Sequence, residues 1–99
     1  MADQLLDYYR AIEDSSVKML EAARQRDWDE VVRYEGACAV LIEQLRFRSQ
    51  TERLPQADRA EKTEIMRRIL QNDAEIRVLA EPWLAQVESM FDRQLPVLH

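Results

Sequence analysis

The chain has 99 residues, which is one domain at most. Hydrophobic residues make up 46% and charged residues 33%, a globular balance rather than that of a disordered chain. A net charge of −5, with basic residues scattered among acidic ones, speaks against a nucleic-acid partner, and one glycine with three prolines excludes a turn-rich β fold.

What remains is rich in Leu, Ala, Glu, Gln, Arg and Met, the good helix formers. The first apolar stripe runs through Leu5, Tyr9, Ile12, Ser16, Met19 and Ala23 in steps of four and three, with Leu6 and Leu20 widening the face. This predicts a helix over about residues 2–25. The segment RQRDWDEVVRYE then forms a turn written in charge rather than in glycine. Asp27 is placed to cap the next helix, and Glu30, three residues on, completes a capping-box spacing. Trp28, at the first helical position, reads as an apolar lid over the end of the first helix.

The second stripe, Val31, Glu35, Cys38, Ile42 and Leu45, predicts a helix over about 28–52. Pro55 lies at or just past its end, because the residue before a proline avoids the α region. Asp58 is a candidate cap for the third helix, with Glu61 three residues later. That helix, about 58–94, carries Ile65, Ile69, Asn72, Ile76, Leu79 and Trp83 in phase, continued by Val87 and Met90. Pro82 interrupts the stripe without shifting it. A single kinked helix is expected there, and a separate fourth helix from Glu81 is the alternative.

Such elements predict an all-α, elongated antiparallel three-helix bundle, one domain over 1–94, with a short tail at 95–99. Helices of about 36 to 54 Å that share one seam each leave a thin core. The third helix has a second apolar edge beside its core stripe: Met66, Leu70, Ala74 and Arg77, with Leu84 and Phe91 beyond the proline. A middle position between the other two helices would account for it. So would a surface that receives an amphipathic helix from a partner, and methionine suits that use.

Chemistry is scarce. His99, the lone histidine, is the last residue, Cys38 sits in a stripe position, and Gly36 is the only glycine, so no phosphate loop exists. No catalytic residue, cofactor site or metal site is expected. The unpaired cysteine, the absence of a long apolar run and an N-terminus without a signal-peptide pattern predict a cytoplasmic protein without membrane insertion.

LEAARQRDWDEVVRYE, with the later LIEQL and LQND, resembles the FliT family of flagellar export chaperones over about residues 1–94. In that family a Leu- and Ala-rich helix end is followed by a polar turn and a Trp-Asp or Trp-Glu opening the next helix. The resemblance implies a small cytoplasmic helical chaperone of the filament-capping protein FliD. It would bind the C-terminal helical segment of FliD, prevent premature assembly and deliver it to the type III export apparatus. Contacts with the export ATPase complex and export gate are implied too, and for some members anti-activation of the flagellar master regulator. The third helix is then the expected client surface, through Met66, Leu70, Ala74, Arg77 and Leu84. Family members can carry a further C-terminal helix over that surface, where this sequence has only DRQLPVLH after Phe91. Either that control is missing, or the chain is shortened, or the tail does a reduced version of it. The alternative from another class is a helical dimerisation or scaffold module, its second edge filled by its own copy.

Overall fold

The computed structural model describes residues 5–94, and for Trp83, Leu84 and the residues from Phe91 onward it describes no side chain. The tail expected at 95–99 lies outside the described residues. Three α-helices follow one another: α1 (Leu5–Arg24), α2 (Trp28–Ser49) and α3 (Arg59–Gln94), the last preceded by a 3₁₀ turn at Gln56–Asp58. No strand occurs among the described residues. The long axis is 55 Å, the elongation expected of helices that lie side by side.

The turn between α1 and α2 is closed by backbone bonds. Arg26 takes a left-handed conformation, φ 60°. Its N–H donates to the carbonyl of Ala23 at 3.0 Å, and the Asp27 N–H donates to Ala22 at 2.9 Å. Those paired bonds are a Schellman closure, which satisfies the orphan carbonyls at the end of α1. The Asp27 carboxylate accepts from the Glu30 N–H at 3.3 Å and caps α2 as expected. The other half of the capping box does not form: Glu30 turns instead to Arg33 at 2.6 Å, because the Asp27 N–H is already taken. Trp28 packs with Met19 and Leu79 against the cluster Leu20, Ala22, Ala23, Val31 and Ile76. The lid therefore rests on α3 as well as on α1.

A left-handed residue with a Cβ is strained by about 1 kcal/mol, which glycine avoids. Arg26→Gly is expected to stabilise the protein by about 0.5–1 kcal/mol, raising Tm by roughly 2–8 °C. An unchanged or lower Tm in calorimetry would show that the arginine side chain holds the corner in some other way.

α2 ends at Ser49, ahead of Pro55, which opens the 3₁₀ turn rather than ending the helix. Asp58 sits in that turn, its N–H donating to the Pro55 carbonyl at 2.9 Å. Glu61 does not reach back toward it but accepts from Arg10 of α1 at 2.8 Å. α3 runs unbroken through Pro82 and is bent, so the single-helix expectation holds and the four-helix alternative does not.

The middle position belongs to α1, not to α3. α1 packs against both other helices, while α2 and α3 scarcely meet. The α1–α3 seam carries Arg10–Glu61, Glu13–Arg68 at 2.6 Å and Arg24–Glu75 at 2.6 Å, residue numbers rising together, so these two helices run parallel. The connection from α2 to α3 therefore crosses the end of α1. Between the ion pairs, buried Ser16 donates to the Glu13 carbonyl at 2.7 Å and accepts from the Asn72 amide at 3.0 Å. Each of these polar residues interrupts an apolar stripe, and each satisfies the other.

Candidate functional site

With α1 in the middle and α2 and α3 held apart on its flanks, an open groove of 560 Å³ lies between them. Its floor is α1, through Ile12, Ser16 and Met19. One wall is α2 from Val31 to Ile42, and the other is α3 from Ile69 to Ala80. At 1.5 Å per residue each wall is about 17 Å long, three turns of helix.

The groove exists because α2 is under-covered. Of its 22 residues only Val31 is buried. Ile42 keeps 42% of its surface exposed and Cys38 is half-buried, although both lie in phase with Val31. An apolar stripe left open in this way is the mark of a surface that awaits another element.

Of the five residues expected on the client surface, the groove brings together two, Leu70 and Arg77. Leu70 is 62% exposed, and Arg77 is exposed and bonded to Asp73 at 2.9 Å. Met66, 38% exposed, and exposed Ala74 lie on α3 but outside the groove's lining. The side chain of Leu84 is outside the described residues. Neither the floor nor the α2 wall was among the residues expected there, because their stripes read as ordinary core. The signal that could have found them is Glu35, a carboxylate in an apolar phase position.

Cys38 shares the α2 wall. Partial burial pushes its thiol pKa up, a hydrogen bond from Ser15 works against this, and the nearby Glu35 carboxylate raises it further. A raised thiol pKa makes a sluggish nucleophile at neutral pH, which fits a packing role. The other concave regions are more polar. One surrounds Leu54 and Lys62 at the crossing end of the bundle, and one lies beside Trp28 and Pro82. Among the described residues no group of three or more His, Cys, Asp or Glu side chains could hold a metal, and no helix is long and apolar enough to cross a membrane.

The family profile described as "Flagellar protein FliT" matches residues 6–93. The crystal structure of flagellar protein FliT from Bordetella bronchiseptica is similar to this chain, with a TM-score of 0.75 and 34% sequence identity. The likeness covers 88% of this chain and 99% of that one. No curated protein sequence matches the chain.

Proposed function

The chain belongs to the FliT family of flagellar export chaperones, and from that premise we propose that its client is the C-terminal helical segment of the filament-capping protein FliD, held in the groove between α2 and α3. There the chaperone keeps the client from assembling early and hands it, in the cytoplasm, to the export apparatus, through the export ATPase complex and the export gate. Anti-activation of the flagellar master regulator is a further role in the same reading. No step in it is catalytic.

The observation that carries the reading is the uncovered α2 stripe facing Leu70 across a floor of Ile12 and Met19. An amphipathic helix laid between α2 and α3 would complete a four-helix arrangement around α1. Its apolar face would contribute about 25 cal/mol for each Å² removed from water, less the ordering of the client and its lost freedom of motion.

Isothermal titration with a C-terminal fragment of the capping protein tests this directly, and one-to-one binding with Kd of about 1 μM or below is expected. Cys38 supplies a footprint on the same sample. Alkylation of its thiol should slow several-fold when the client is bound, because the client covers the α2 wall. No heat at tens of micromolar, or binding that leaves Cys38 as reactive as before, would overturn the assignment.

A second copy of the chain is the competing occupant. It would bind through other α2 residues: Val32, Val40 and Phe47 are exposed and do not line the groove. Sedimentation at rising concentration separates the two readings: a tight dimer that refuses the capping fragment would support the dimerisation module.

A further inference from the structure

The α2 wall of the groove holds a charge that its surroundings do not explain. Glu35 lies one turn after Val31 and one turn before Cys38, in the phase that elsewhere on α2 carries apolar side chains. It lines the groove together with Cys38, Ala39 and Ile42. Most carboxylates along these helices have a cation: Glu13 has Arg68, Glu61 has Arg10, Glu75 has Arg24, and Asp73 across the groove has Arg77. Glu35 has none among the described residues. The α3 rim is thus neutralised from within, and the α2 rim is negative.

Glu35 is exposed in the free chain, where water solvates its carboxylate. A helix seated there displaces that water. A carboxylate covered without a partner is strongly disfavoured, whereas the same carboxylate beside a lysine or arginine is stabilised by a charge-assisted hydrogen bond. Leaving Glu35 uncompensated penalises every occupant that lacks a cation at that place. Selection by such a penalty is how interfaces reject the wrong partner.

We infer that the groove selects an amphipathic helix with a lysine or arginine flanking its apolar face on the α2 side, and that Glu35 is the residue that makes the selection. This rests on the reading of the groove as the client site and adds the chemistry of the client. The apolar face required is about three turns long, matched to the 17 Å walls. Because the charge is on one wall only, the cation also fixes which way the helix is rotated in the groove. The chain's net charge of −5 acts in the same direction at long range, raising the encounter rate of a basic segment.

The test uses the full chain and two synthetic 18-residue amphipathic peptides with identical Leu and Met faces. One carries lysine and the other glutamine at the positions flanking the apolar face. Fluorescence anisotropy is measured with the wild-type chain, Glu35→Gln, Glu35→Lys and Glu21→Gln. The last removes an equal charge outside the groove's lining. The capping-protein fragment is titrated alongside.

The wild type should prefer the lysine peptide by about tenfold. Glu35→Gln should abolish that preference, Glu35→Lys should reverse it, and Glu21→Gln should leave it intact. Circular dichroism verifies that each variant keeps its helicity. A preference that survives Glu35→Gln would overturn the inference and assign the effect to net charge alone. Equal binding of both peptides by the wild type would overturn it as well. If the fragment binds Glu35→Gln as tightly as wild type, the client reading stands and this inference falls. If the fragment fails while the lysine peptide binds through Glu35, the inference stands and the client's identity falls. Absence of all binding removes both.

Discussion

Ile65→Ala is expected to destabilise the protein by about 3 kcal/mol and to lower Tm by roughly 12–24 °C. Ile65 is 1% exposed, the largest side chain so completely enclosed among the described residues, and it lies on α3 between the Arg10–Glu61 and Glu13–Arg68 pairs. Truncation removes the transfer free energy of three carbons and leaves a cavity that two helices braced by these pairs cannot readily close. The core is thin: among the described residues the buried hydrophobic ones are Leu5, Leu6, Ile12, Leu20, Ala22, Ala23, Val31, Ile65 and Ile76. A domain of this size is stable by about 5–15 kcal/mol in all, so one such loss is a large share. Urea denaturation followed by circular dichroism gives the value. A loss below about 1 kcal/mol would mean that α3 shifts along α1 to fill the space, and the α1–α3 register would then be softer than its ion pairs suggest.

Leu70→Ala is expected to do the opposite: almost nothing to folding and about 2 kcal/mol, some 30-fold in Kd, to the binding of the capping-protein fragment. At 62% exposure Leu70 buries little in the free chain, so its apolar surface is available to a client. It sits on the α3 wall across from Ile42, where a helix in the groove would touch both. Met66→Ala is the informative companion, since Met66 belongs to the same α3 edge but lies outside the groove's lining. A larger loss for Leu70 than for Met66 would locate the client between α2 and α3. Equal losses would place it on the outer face of α3. If neither substitution weakens binding while helicity is kept, the α3 wall is not part of the client site.

These two residues also mark how far the sequence could be read. Ile65 belongs to the core stripe of the third helix and is buried. Leu70 belongs to the second edge and is exposed. That division follows from the 3.6-residue period, as do the three helices, while the charged turn with its Asp27 cap and the place of Trp28 over the corner follow from local capping chemistry. The continuation of α3 through Pro82 follows too, because the apolar phase is unchanged across the proline. Helical propensity and amphipathic phase are local properties, and local properties are written residue by residue.

Which helix stands in the middle is not local. The extra edge of α3 is compatible with a central position, yet α1 takes it. The choice depends on how α1's two faces are shared: Ala22 and Ala23 are small enough to bring the corner of the bundle together under Trp28, and Ser16 finds its partner in Asn72, 56 residues away. Glu13 and Arg24 likewise meet their counter-charges across the α1–α3 seam, and Arg10 reaches Glu61 there as well as Asp7 on its own helix. Pairings at that separation carry no periodic signal, since any acid on the facing helix would serve equally well in sequence. The groove inherits the same dependence. By itself the sequence determined the helices, their apolar faces and the turn that reverses the chain. Only the tertiary structure decided that two of those faces stay apart and leave an opening, because packing α1 against both neighbours keeps α2 and α3 from closing on each other.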